Sequence, residues 1–243
     1  MPANASKLFC CRVTGVTDEG TPDTPDVDLA WLASCLGRDG GELASAHWSR
    51  VGTGQIAASY RGSLSWKGAT KPETVFIKVP STDPKSRDAG IRFNLYAREI
   101  AWYSSLKVKA GVNCPGYLGS WMNEETGDFA LLLEDCAPAK QGDQIAGGSI
   151  EQVKIGLREL ARLHSGFFND PSVIRNDLTR RNPEIGKRRA DLLAQFWPDF
   201  RERYAGRVDQ NILEMGDDFS RKFQEFELRR ARDFSLIHGD FRL

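Results

Sequence analysis

Net charge is the first thing this sequence lacks: 33 Lys and Arg are matched by 33 Asp and Glu. A chain without a global field has no means of steering toward a nucleic-acid backbone or an anionic bilayer, so neither partner is expected. Also missing is any stretch near the roughly 20 apolar residues that a membrane span requires. The amino terminus has no basic region followed by an apolar run, which excludes a secretion signal and makes the cytosol the expected address. Cysteine is sparse. The five residues Cys10, Cys11, Cys35, Cys114 and Cys136 are odd in number and show no C-x-x-C spacing, which argues against a zinc site and against a secreted disulfide framework. Internal repeats and low-complexity tracts are absent as well. What is left is a globular protein of a reducing compartment whose partner is small.

At 243 residues the chain is long enough for one large or two modest domains. Residues 1–25 mix Pro, Thr, Asp and Gly with few apolar residues, a composition that seldom packs, and are expected to form a mobile arm. Over residues 26–37 the spacing of Leu29, Leu32, Ala33 and Leu36 predicts a short packing helix, with aspartate to cap its start and Gly37 to end it.

Gly52, Thr53 and Gly54 then separate two stretches that read as antiparallel strands, the second over residues 56–66. A turn with two glycines lets backbone N–H groups approach phosphate oxygens unobstructed, and it serves equally well as a plain hairpin. The next strand, residues 74–79, is β-branched and aromatic with a single ammonium group, Lys78, in its middle. On an edge strand Lys78 simply faces water; in a central strand it needs a partner, because lysine is almost never fully buried unpaired. A carboxylate is available on the helix expected over residues 88–108. Its apolar stripe is Leu95, Trp102, Tyr103 and Leu106, and Glu99 falls inside that stripe, four residues from both Leu95 and Tyr103. Arg98 is adjacent and points elsewhere, so Lys78 is the expected partner of Glu99.

Two more strands follow at residues 116–121 and 129–134, the latter apolar enough to be central and ended by Glu134 and Asp135. Ser149 and Gln152 form a capping box that opens a helix to about residue 168, with a core stripe of Val153, Leu157, Leu160 and His164. His164 has no second metal-type neighbour and reads as a core histidine bonded to a backbone carbonyl. Further helices are expected over residues 185–204 and 208–232, the second with the stripe Ile212, Met215, Phe219, Phe223 and Phe226. Lys187, Arg188 and Arg189 on one helical turn read as a solvated face.

The sequence ends on Leu236-Ile237-His238-Gly239-Asp240-Phe241-Arg242-Leu243. An apolar run that drops into His-Gly-Asp suggests an aspartate desolvated at the tip of a buried strand, although Gly-Asp is also common turn chemistry. His238, Gly239 and Asp240 resemble the opening of the catalytic loop in the aminoglycoside phosphotransferase, choline kinase and ecdysteroid-kinase-like group of protein-kinase relatives. The order of Gly-rich turn, strand lysine, helix glutamate and a Leu-Leu-Leu-Glu-Asp strand end resembles the small lobe of the same group. That resemblance spans nearly all of the chain after the arm.

The resemblance implies an α+β, bilobal protein-kinase-like fold: a small nucleotide-binding lobe at residues 26–136, an antiparallel sheet with one helix, and an incomplete, mainly helical large lobe at 137–243. It further implies an ATP-dependent phosphotransferase acting on a hydroxyl of a small molecule. Gly52, Thr53 and Gly54 would cover the phosphates of ATP and Lys78, held by Glu99, would grip them. The Glu134 carbonyl and the Cys136 N–H would contact the adenine edge. Asp240 would accept the proton of the acceptor hydroxyl. The match ends before the asparagine and the metal-binding aspartate of those families. The magnesium ligands are therefore expected beyond residue 243, and the chain as written is expected to be inactive by itself. A nucleotide-binding pseudokinase and a non-catalytic interaction module are the alternatives.

Overall fold

The computed structural model describes residues 24–241 apart from 53, 72, 141, 144, 180, 181, 230 and 231. Most of the expected arm thus lies outside the described residues. The first helix, α1 (Leu29–Cys35), starts where Asp28 accepts the Trp31 N–H at 2.8 Å, and it ends before Gly37, whose φ of +70° suits a residue without a Cβ. A short 3-10 turn (Gly40–Glu42) leads into a sheet of five strands: β1 (Leu43–Arg50), β2 (Ala57–Trp66), β3 (Glu73–Pro80), β4 (Tyr117–Met122) and β5 (Phe129–Glu134). Their order is β1-β2-β3-β5-β4, and all neighbours are antiparallel. β3 therefore lies in the middle, with β2 on one side and β5 on the other.

Alternation along the strands gives the sheet two faces. One face buries Tyr60, Leu64, Val75, Ile77, Val79, Ala130 and Leu132 against Leu32 and Ala33 of α1. The other gathers Ala57, Phe76, Leu131 and Leu133 with Tyr96, Ile100 and Tyr103 from the segment between β3 and β4. That segment is not the single helix expected over residues 88–108. It consists of α2 (Pro84–Arg92) and α3 (Leu95–Ala101), then a π-helical turn (Trp102–Leu106) that runs on into α4 (Lys107–Ala110). Asn94, at φ +54°, breaks α2 from α3. A left-handed residue reverses the helical path, and Asn tolerates that conformation better than most. The packed stripe is consequently Tyr96, Ile100 and Tyr103, not the one centred on Leu95 and Leu106.

Chain contacts divide the protein into two compact units, one running through Gly166 and taking in residues 237–243, the other Phe167–Leu236. The division expected after residue 136 falls inside the first unit. Helix α5 (Ile150–Gly166) belongs to that unit because Gly166 lies directly on α4: a Cβ there would stand 3.0 Å from both the Ala110 Cα and the Lys109 carbonyl. The Asn113 N–H also donates to Glu159 of α5 at 2.8 Å. The capping box forms, with Ser149 N–H donating to Gln152 Oε1 at 2.7 Å and Gln152 N–H to Ser149 Oγ at 3.2 Å. The core stripe expected on this helix does not. Val153, Leu157 and His164 are exposed and Leu163 is the buried residue, so His164 is not the core histidine that its place on an apolar stripe suggested.

The second unit contains α6 (Pro171–Arg175), α7 (Pro183–Tyr204) and α8 (Gln210–Leu228). The missing side chain of Gly216 makes room on α8 for the Trp197 ring of α7. Asp217 then accepts from Trp197 Nε1 at 2.7 Å and from Arg201 Nε at 3.0 Å. Those partners, the indole N–H first, hold the Asp217 carboxyl below its ordinary range. Leu213 is buried, whereas Ile212, Met215, Phe219 and Phe226 of the expected stripe are exposed. No helix among the described residues is long and apolar enough to cross a membrane.

Candidate functional site

Lys78 and Glu99 meet. The Lys78 Nζ donates to Glu99 Oε1 at 2.5 Å, and the two side chains are 25% and 28% exposed. The strand places the lysine: its neighbours Ile77 and Val79 are buried on the α1 face, so Lys78 points to the opposite face with Phe76. The helix places the glutamate, three residues after Tyr96, whose ring stacks on Phe129 at a centroid distance of 4.3 Å. Tyr96 also donates its hydroxyl to the Ile56 carbonyl at 2.8 Å, which ties α3 to the residue that opens β2. In register, Lys78 lies opposite Ser59 on one side and Leu131 on the other. The β1–β2 turn therefore sits at the same end of the sheet as Lys78, since Ala57 pairs with Pro80.

Within that turn Gly52 has φ +73°, and a Cβ on Gly54 would come within 2.7 Å of the Ala57 carbonyl. Both glycines are thus required by the hairpin itself, whatever else they do. Thr53, the third residue assigned to this turn, lies outside the described residues.

The strand end assigned to the base edge lies on the same face of the sheet. Glu134 closes β5, and Cys136, two residues on, is exposed. Tyr103 connects this end to the ion pair: burial pushes its phenol well above the usual range, with Glu99, Cys114 and Cys136 adding to the rise. Burial likewise raises the Cys114 thiol. A second ion pair, not anticipated from the sequence, occupies the same face. Arg61 Nε of β2 lies 2.9 Å from Asp135 Oδ2, off the hydrogen-bond axis.

Searches against family models, curated proteins and solved structures return no match for this chain.

Asp240 is not at the tip of a buried strand. Residues 234–238 form no strand, and Asp240 is exposed in a bend, where its N–H donates to His238 Nδ1 at 3.3 Å. The cause is visible at Phe234, whose carbonyl accepts the Asn169 N–H at 2.8 Å and whose N–H donates to Asn169 Oδ1 at 2.9 Å. A backbone whose groups are taken in this way has none left for a ladder. Phe241 rests on α5 beside Gly156. Among the described residues no group of three or more His, Cys, Asp or Glu side chains could hold a metal ion, so the expected magnesium has no site there.

The structure thus assembles Lys78, Glu99, Glu134 and Cys136 on one sheet face, at or beside its Gly52–Gly54 end, and leaves Asp240 exposed to solvent. Arg61 and Asp135 were missed by the sequence reading. The signal for Arg61 was present: it is an even number of residues from Ala57 and Ser59, which puts it on the Lys78 face. Its partner could not be read, because the pair reaches across β3.

Proposed function

We propose that the face carrying Lys78 and Glu99 binds a nucleoside triphosphate and that the protein is a kinase-like, ATP-dependent phosphotransferase for a hydroxyl of a small molecule. The observation that carries this reading is the Lys78–Glu99 pair, held in a central strand under a helix and beside a two-glycine turn. A structural lysine has no reason to be set in the middle of a sheet against a glutamate when an apolar residue of similar volume would serve stability as well or better. A quarter-exposed ammonium fixed at one position can neutralise phosphate oxygens while its carboxylate partner keeps it from collapsing onto the sheet. The exposed backbone at Cys136 supports a nucleobase at the other end of the same face.

In this reading ATP supplies the phosphoryl group, and the chain's own residues orient and neutralise it. Asp240, exposed and beside His238, is available to take the proton of an acceptor hydroxyl. The bilobal arrangement and the cytosolic address belong to the same proposal, the latter supported by the free thiols Cys35, Cys114 and Cys136. Calorimetry with ATP and magnesium tests it. Micromolar to millimolar binding that is lost in Lys78→Ala is the expected result. Equal binding by the wild type and by Lys78→Ala would remove the assignment. ATP binding without transfer to any hydroxylated acceptor would favour a non-catalytic nucleotide sensor.

A further inference from the structure

Residues 134–137 are held from both sides by two consecutive carboxylates. Glu134 pairs its N–H with the Gly116 carbonyl at 2.9 Å and accepts the Gly116 N–H on Oε2 at 3.1 Å. Asp135 accepts the Ala137 N–H on Oδ1 at 3.2 Å and turns Oδ2 toward Arg61. The Asp135 side chain is only 4% exposed, although the residues on either side of it are exposed. An ordinary polar strand end would leave that carboxylate in water, because burying it is unfavourable unless something is gained.

Arg61 reaches this position from two strands away. It lies opposite Phe76 of β3, and Glu134 lies opposite Val75, so the guanidinium crosses over β3 on the Lys78 face. One buried carboxylate thereby fixes the backbone at residue 137 to the middle of β2, and Cys136 is left outward between its two anchored neighbours. The arrangement holds a short backbone segment still while keeping it accessible, which is the requirement for reading a ligand by main-chain groups.

We infer that Arg61 and Asp135 are positioning residues that set the affinity for the base of the nucleotide by fixing residues 134–137, independently of the phosphate grip at Lys78. The inference rests on the nucleotide reading of this face and divides the site into two parts that can be tested apart. The ligands are ATP, adenosine and tripolyphosphate, each titrated calorimetrically into the wild type and into Arg61→Lys, Arg61→Ala, Asp135→Asn and Lys78→Ala, with melting temperatures recorded for each protein. Arg61→Ala and Asp135→Asn should weaken ATP and adenosine by about tenfold and leave tripolyphosphate unchanged. Lys78→Ala should do the reverse, weakening ATP and tripolyphosphate and sparing adenosine. Arg61→Lys keeps the charge but not the reach and fork of the guanidinium, so it should share the adenosine loss in a protein that folds. The exchange Arg61→Asp with Asp135→Arg should recover part of it.

Variants that melt lower yet bind adenosine like the wild type would assign the pair to stability alone and overturn the inference. A wild type that binds tripolyphosphate but neither ATP nor adenosine would overturn it also, because no base is then read. A wild type that binds none of the three would sink the nucleotide reading itself. That outcome is distinct from the other two because it appears before any substitution is made.

Discussion

The two faces of the sheet are built from the same five strands and differ in one respect. The face under α1 is apolar throughout, with Leu64, Val75, Ile77, Val79 and Leu132 essentially inaccessible. The face under α3 sets two ion pairs, Lys78–Glu99 and Arg61–Asp135, among Phe76, Leu131 and Leu133. Alternate residues of β3 face a core and a charged surface in turn. The first face does what folding requires. The second gives up apolar contact for charge at fixed positions, and that surplus over structural need is the reason to look for a ligand there.

The largest effect should come from the apolar face. Ile77→Ala removes a fully buried side chain at the centre of the sheet and should cost about 2–5 kcal/mol in denaturant unfolding, with nucleotide affinity unchanged in the folded fraction. A smaller loss would mean that the α1 face is loosely packed. On the other face Glu99→Ala leaves Lys78 without its carboxylate. Loss of a partner from a fully buried pair costs about 3–5 kcal/mol, but both side chains here reach solvent, so about 1–2 kcal/mol is expected in the same assay. The double variant Lys78→Met with Glu99→Leu sharpens the contrast: it should regain most of the stability lost in Glu99→Ala, by the same unfolding measurement, and bind no ATP. If that double variant remained as unstable as Glu99→Ala, the pair would be part of the scaffold, and the distinction between the faces would fail.

The smallest effect lies in the helical unit, which serves as the control outside the sheet. Asp217 has a folded-state pKa below its unfolded value, so its contribution to stability is present above the ordinary carboxylate range and is lost as pH falls through the folded value. Melting temperatures recorded from pH 7 to pH 3 should therefore fall less steeply for Asp217→Asn than for the wild type. Identical slopes would show that the bonds to Trp197 and Arg201 do not couple to protonation.

Period-two alternation was enough to read β2, β3 and β5 from the sequence, and it put Lys78 on the face away from Ile77 and Val79. The single lysine in an apolar strand and the single glutamate on a packed helix were legible for a related reason: each is an exception to a strong local pattern. Asp135 was not legible, because a carboxylate at a strand end is usually solvated, and its burial depends on an arginine 74 residues earlier. The apolar run at residues 234–237 misled for the opposite reason. Its composition suits a strand, but strand formation depends on a ladder partner, and the backbone of Phe234 is already bonded to Asn169. The stripes on α5 and α8 had helical spacing, and the helices formed, yet spacing alone does not say which face will be covered.

The π-helical turn at Trp102–Leu106 has a consequence for how this stretch can vary among related sequences. Such a turn closes over five residues where an α turn closes over four, so it carries one residue more than the helix around it needs. Deleting one residue there would barely shorten the segment but would rotate everything after it by roughly 100°. Glu99 and Tyr96, upstream, would keep their places against the sheet. Lys107, whose ammonium now donates to the Pro115 carbonyl at 2.8 Å, would swing off the chain that leads into β4. A one-residue gap in an aligned relative at this point therefore marks a change of azimuth, and a helical wheel drawn straight through residues 95–110 assigns the wrong side to every residue after the turn.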